Sequence, residues 1–213
     1  MPIEGLLLDF GSVVLRSAFE LRARAEADLG LPSGSLDWAG PFDPTTDPLW
    51  RSFQAGVMTE REYWAERARL VGAQSGRPDM KILEFLQSFY DPPSDDLFYP
   101  EAVATIMAAR AADVSVVFLT NDLKCFMSRD WRDSMRVSSL ADAIVDAADS
   151  GVLKPDRRAF EAGRAALDLP FEAVLFVDDQ PANIAGAEAV GLQVHHFNVT
   201  AAAASWATIR AAF

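Results

Sequence analysis

Cysteine is almost absent. Cys125 is the only one in 213 residues, so no internal disulfide can form, and without a basic cluster beside it the thiol reads as a small apolar filler and not as a nucleophile. Histidine is nearly as scarce. The two present, His195 and His196, are consecutive; neighbours on a strand point to opposite faces, so at most one could reach a common site, and both read as structural. Positive charge is short as well, with 19 Lys and Arg against 31 Asp and Glu and a formal net charge of −12. That balance argues against nucleic acid or an anionic membrane surface as a partner, and an anionic small substrate would need a local positive site. Long apolar runs are missing too. Glu4 interrupts the amino terminus, and no stretch approaches the roughly 18 residues that would span a bilayer, so the expected compartment is the cytoplasm.

What the chain does have is material for a core. Half of its residues are hydrophobic and 23% are charged, the composition of a soluble globular chain of one domain, or one domain carrying an insert. It is organised around Leu6-Leu7-Leu8-Asp9-Phe10-Gly11. The apolar run suits a strand buried on both faces, and it ends in a carboxylate with a glycine close behind that frees the backbone to turn. Asp9 therefore sits at a strand's carboxyl end, the edge at which open α/β sheets bind ligands.

Residues 17–29 predict a helix with Ser17 as its cap and Gly30 just past its end. The stretch 31–48, rich in Pro, Gly, Ser and Asp, predicts an irregular connection pinned by Trp38 and Phe42. Thr59 and Glu62 form a capping box that opens a helix to about residue 72, and 79–90 repeats a helical pattern until Asp91-Pro92-Pro93 stops it. From about residue 100 helices and strands alternate. Helix 100–112 leads to a buried strand, 114–121, ending in Thr120 and Asn121. A helical 128–136 precedes a weaker strand near 143–145. Gly151-Val-Leu-Lys154-Pro155 leads into a helix to about 168. Strand 173–177 ends in Asp178-Asp179, Pro181 starts the next helix, and a last strand (192–197) and helix (201–212) follow. The expected fold is α/β, a doubly wound parallel sheet.

Parallel strands would bring Asp9, Thr120-Asn121 and Asp178-Asp179 to one edge, with Lys154 nearby. Adjacent aspartates repel unless a cation or a lysine relieves them, and with Asp9 they offer the hard oxygen ligands that Mg²⁺ prefers. Lys154 and Thr120 supply the charge and donor that a phosphate would need. In this order, strand-Asp, strand-Thr-Asn, Lys-Pro, strand-Asp-Asp, the chain resembles the haloacid dehalogenase-like hydrolases, with all four of that family's motifs matched. The resemblance implies a Rossmann-like core of residues 1–15 and 101–213, with 16–100 as an inserted α-helical cap; Gln54-Ala-Gly-Val-Met-Thr-Glu-Arg-Glu-Tyr-Trp64 is similar to a stretch common in such caps. It implies that Asp9 is a nucleophile forming an aspartyl-phosphate, that Thr120 and the adjoining Asn121 amide hold phosphoryl oxygens, and that Lys154 neutralises charge. Mg²⁺ would be held by Asp9, the Gly11 carbonyl and Asp179, with Asp178 supporting Lys154 or the metal's waters. Hinges near 15–17 and 91–100 would let the cap close.

Gly11 breaks the pattern. Most phosphatases of the family carry an Asp two residues after the nucleophile as general acid and base. Its absence predicts that the leaving oxygen departs largely unprotonated or takes a proton from water, Asp122 or a cap residue, and that aryl and anomeric sugar phosphates outrun alkyl phosphates. The expected function is a Mg²⁺-dependent phosphatase of a small phosphorylated metabolite, working as a monomer or homodimer. A metal-free 2-haloacid dehalogenase, which also lacks that Asp, is the alternative, and a non-catalytic phosphate binder is the third; Asn183 after Asp178-Asp179 resembles the metal-binding form. Trp131 is expected in the core and not over the site.

Overall fold

In a computed structural model, which describes residues 1–135 and 139–213, β1 (Gly5–Leu8), β2 (Ser115–Thr120), β3 (Ala143–Asp146), β4 (Val174–Asp178) and β5 (Gln193–His196) form one parallel sheet in the order β3-β2-β1-β4-β5. β1 lies at its centre because nothing on it tolerates water. Leu6, Leu7 and Leu8 are wholly buried, and removing each from water is worth about 1.5–3 kcal/mol. They point alternately to two cores. Leu7 joins Val117, Leu119, Phe160 and Phe176 on one face, while Leu6 and Leu8 join Phe10, Val116 and Phe118 on the other. Leu8 is in register with Phe118 on one side and Val177 on the other, so the residues that follow β1, β2 and β4 emerge together at the carboxyl edge.

The Leu7 face is covered by α8 (Arg157–Leu167) and α9 (Pro181–Ala189). α8 lies close to the sheet because Gly163 has no side chain: a Cβ there would stand 2.8 Å from Leu7 Cδ1. The opposite face is covered by α5 (Pro100–Ala111) and α10 (Ala202–Arg210).

Between β1 and β2 the chain inserts α1 (Arg22–Asp28), α2 (Pro48–Gln54), α3 (Glu60–Gln74) and α4 (Ile82–Tyr90). Their core is aromatic. Phe19 packs edge-on against Trp50 at 5.2 Å and Trp38 at 5.5 Å, Tyr63 against Trp64 at 5.0 Å, and Phe85 against Phe89 at 5.0 Å. One ion pair is sealed inside. Asp47, fully buried, caps α2 by accepting from Trp50 N at 2.7 Å, accepts from Tyr63 Oη at 2.8 Å and pairs with Arg67, whose guanidinium lies 4.6 Å from the Trp38 ring centre. The two chain passages joining insert and sheet are tied together: Arg16 N donates to Leu97 O at 2.7 Å and Tyr99 N to Val14 O at 3.2 Å.

Several elements depart from expectation. The first helix begins at Arg22 and not at Ser17: residues 18–20 form a separate turn, with Ser17 N donating to Glu20 Oε2 at 3.0 Å. A short α6 (Leu123–Phe126), too brief to leave a periodic signal, follows β2, and α7 (Arg129–Ser134) is shorter than the expected helix 128–136: Ser128 is its cap, Met135 is already extended, and residue 136 lies outside the described residues. The helix after Lys154 starts at Arg157, capped by Asp156, which accepts from Arg158 N at 2.9 Å. Trp131 belongs to the core: it is 2% exposed and its Nε1 donates to Tyr90 O at 3.0 Å.

Candidate active site

Three of the expected residues, Lys154, Asp9 and Asp178, meet at one ammonium group. Lys154 Nζ donates to Asp9 Oδ1 at 2.7 Å, to Asp178 Oδ2 at 2.7 Å and to Leu119 O at 2.9 Å, which uses all three of its protons. Burial pulls its pKa down, but the carboxylates of Asp178 and Asp9 outweigh that, and the net shift is upward. The loop that delivers Lys154 is clamped by Asn121, whose Oδ1 accepts from Lys154 N at 2.7 Å and whose Nδ2 donates to Lys154 O at 3.2 Å. The Asn121 side chain is thus committed to positioning the lysine, although the residue lines the cavity together with Thr120.

The two consecutive aspartates at the carboxyl end of β4 have different surroundings. Asp178 is fully buried and saturated: besides Lys154 it accepts from Gln180 N at 2.8 Å and from Asn183 Nδ2 at 3.1 and 3.0 Å. Among the described residues, the Asp179 carboxylate takes a hydrogen bond only from Gln180 Nε2, at 2.9 Å. Carboxylate oxygens of Asp9, Asp178 and Asp179 all lie within 4.8 Å of one another. Burial, then the charges of Asp178 and Asp9, push Asp179 well up from its ordinary value, and burial pushes Asp9 up to about 6 against the pull of Lys154. Three clustered carboxylates and one lysine leave negative charge unbalanced, and this donor set fits a hard divalent cation.

The residues enclose a cavity of about 90 Å³, room for a few waters or one small group. Its floor is polar: Asp9, Gly11, Thr120, Lys154 and Asp179. Its roof is apolar and comes from the insert, including Phe19, Trp50, Trp64, Leu86 and Tyr90. Among the described residues lining it, Lys154 is the only cation. Two polar contacts draw insert and sheet together here, an ion pair of Arg61 with Asp122 and a hydrogen bond from Gln54 Nε2 to Gln180 Oε1 at 3.0 Å.

One residue on the wall was not singled out by its position in the chain. Glu60 opens α3, placed there by the Thr59–Glu62 capping box, and enters the cavity from above. Burial, then the charge of Asp9, pushes it up to about 7. The signal was present in the Gln54–Trp64 stretch, but the capping pattern accounts for Thr59 and Glu62 and is silent on the two residues between them, Glu60 and Arg61. Asp122, one possible proton source on sequence grounds, is instead held as the acceptor of Arg61. Of the histidines, His196 sits at the edge of the site with Nε2 3.1 Å from Asp179 O. His195 Nε2 has no hydrogen-bond partner, and burial lowers its pKa.

Residues 3–191 match a family model described as a haloacid dehalogenase-like hydrolase. Among curated proteins, the phosphatase MT3486 of Mycobacterium tuberculosis (strain CDC 1551 / Oshkosh) is 29% identical over 97 residues. That match spans 46% of this chain and 45% of the phosphatase, under half of either protein. Among solved structures, the HAD-hydrolase YfnB of Bacillus subtilis, bound to magnesium, superposes with a TM-score of 0.66 at 20% identity, covering 91% of this chain and 86% of that one. The L-2-haloacid dehalogenase of Xanthobacter autotrophicus, with chloropropionic acid covalently bound, gives 0.57 at 14% identity, covering 90% and 76%. At such identities the structural likeness speaks to fold.

Proposed function

The chain belongs to the haloacid dehalogenase-like hydrolases, and we propose that within that family it is a Mg²⁺-dependent phosphatase of small phosphomonoesters. The observation that carries this reading is the crowding of Asp9, Asp178 and Asp179 within 4.8 Å around a single lysine. A metal-free dehalogenase has no use for the third carboxylate, whereas a phosphatase needs a cation to admit a dianionic ester to an acidic site.

In this reading residues 1–15 and 101–213 are the core and 16–100 the cap. Asp9 attacks phosphorus, Thr120 Oγ1 and the Asn121 main-chain N–H hold phosphoryl oxygens, and Lys154 neutralises charge while orienting Asp9. Asp9, Asp179 and the Gly11 carbonyl would hold Mg²⁺, which when bound offsets the charge of the phosphoryl group. Asp178, already saturated, keeps Lys154 in place. With one lining cation and an aromatic roof, the cavity suits a substrate with a single phosphate and a compact, largely apolar leaving group; a bisphosphate would leave its second charge unpaired.

The test is a panel of phosphate monoesters beside 2-chloropropionate, each assayed with Mg²⁺ and with chelator. Phosphate release that needs Mg²⁺ is expected. Halide release in chelator would move the chain to the dehalogenase branch.

A further inference from the structure

Expelling an alkoxide from phosphorus needs a proton, and no acid stands two residues after Asp9, where Gly11 is. Four acidic side chains line the cavity: Asp9, Glu60, Asp122 and Asp179. Asp9 is bound by Lys154 as the attacking group, Asp179 belongs to the carboxylate cluster that suits a cation, and Asp122 is taken by Arg61. Glu60 is left. Among the described residues its side chain takes one hydrogen bond, from Trp64 Nε1 to Oε1 at 3.3 Å, and Oε2 takes none. The capping box fixes the turn that aims it, with Thr59 N donating to Glu62 Oε2 at 2.7 Å and Glu62 N to Thr59 Oγ1 at 3.2 Å.

We propose that Glu60, carried by the insert and not by the loop after β1, is the general acid and base of the reaction. The inference rests on the phosphatase reading. As Asp9 forms its bond to phosphorus, the bond to the leaving oxygen breaks, its electron pair stays on that oxygen, and the Glu60 carboxyl proton goes with it to release the alcohol. In the second half Glu60, now a carboxylate, takes a proton from water as the water oxygen bonds to phosphorus. The bond between phosphorus and Asp9 breaks with its pair returning to the carboxylate, and phosphate leaves. The enzyme returns to its starting protonation state. The surroundings suit the role: burial first, then the charges of Asp9 and Asp178, disfavour a carboxylate at Glu60 while Trp64 and Lys154 favour it, and the balance keeps the carboxyl protonated further up the pH scale than an ordinary glutamate.

The arrangement makes the supply of the proton conditional on the insert being seated. With Arg61 and Gln54 engaged on the sheet side, the acid is in the cavity; with α3 withdrawn, it is not. An aspartyl-phosphate exposed by opening would then lack the base that activates water.

The experiment compares kcat/KM for 4-nitrophenyl, phenyl and ethyl phosphate in Mg²⁺ between wild type and Glu60→Gln, which keeps the oxygen that Trp64 bonds. We expect a loss of about 10²–10³-fold on ethyl and phenyl phosphate and under tenfold on 4-nitrophenyl phosphate, whose leaving group needs no proton. Phosphate on Asp9 should accumulate in acid-quenched Glu60→Gln, read by mass spectrometry. Gly11→Asp in the Glu60→Gln background should recover the ethyl ester selectively, since a Cβ at Gly11 meets nothing within 4 Å. Glu60→Asp, a second variant that keeps the acid, should retain part of the ethyl phosphate rate. An active wild type whose Glu60→Gln variant loses equally on all three esters, or loses nothing, overturns the role of Glu60 and leaves the phosphatase reading standing. A wild type that releases phosphate from none of them overturns both.

Discussion

Arg61 on α3 and Asp122 at the start of α6 form an ion pair that joins the inserted helices to the carboxyl edge of the sheet. The Asp122 side chain is 7% exposed and that of Arg61 53%, so the pair is half solvated and contributes up to about 1 kcal/mol. Arg61→Ala should therefore raise KM about two- to fivefold and change kcat little. High salt should shift wild-type KM the same way and leave the variant's unmoved. Steady-state kinetics at low and high NaCl decide it; a collapse of kcat at constant KM would mean that Arg61 acts on the chemistry and not on closure.

Lys154 carries two carboxylates at once, 2.7 Å from each. Lys154→Met leaves Asp9 and Asp178 without their shared counter-charge, and removing one member of a buried pair costs about 3–5 kcal/mol. Activity should fall by at least about 10³-fold and urea unfolding should show the lost stability. Lys154→Arg should recover some stability but little activity, because a planar fork cannot reproduce three converging ammonium bonds.

The Asp47–Arg67 pair lies inside the aromatic cluster of the insert. Asp47→Ala strands a buried guanidinium, the Tyr63 hydroxyl and the first turn of α2, so a loss of about 3–5 kcal/mol is expected. Asp47→Asn keeps the cap and should cost less. Equilibrium unfolding followed by tryptophan fluorescence checks the order, and a wild-type-like midpoint for Asp47→Ala would refute it.

Stability of the metal-free protein should fall as pH rises from about 4 to 7. Asp9 is raised to about 6, Glu60 to about 7, and Asp179 is raised as well, whereas unfolded carboxylates titrate near 4. Between those values the folded state binds more protons than the unfolded one, so unfolding free energy declines with increasing pH; the contribution is whole below about 4 and spent above the folded values. Mg²⁺, favouring the ionised cluster, should flatten the decline. Thermal unfolding across that range in chelator and in Mg²⁺ measures both, and a metal-free midpoint that climbs between pH 5 and 7 would contradict the assignment.

The sheet and the residues at its edge could be read from the chain because apolar runs announce buried strands, and Asp9, Thr120 and Asp178-Asp179 stand where those runs stop. Lys154 was visible through its place between two strands. Side-chain partners were not. That Asn121 clamps the Lys154 main chain, and that Asp178 is saturated while Asp179 is not, depends on contacts between segments far apart in sequence. Glu60 escaped for a related reason: the local pattern explains a helix start, and only packing shows which of its first residues turns inward.

The parallel register of β1 has a consequence for how the molecule is made. The partners of Asp9 in the site are remote, Lys154 being 145 residues away, and β1 gains no ladder until β2 and β4 have been synthesised. A nascent chain therefore carries Leu6, Leu7 and Leu8 as an orphan sticky segment while the aromatic insert, whose contacts are more local, can already condense. Assembly of β1 waits on late, long-range pairing, which is slow and exposed to misassociation. Mutations that weaken β1 pairing should show first as poor yield in cells, before any defect in the purified enzyme.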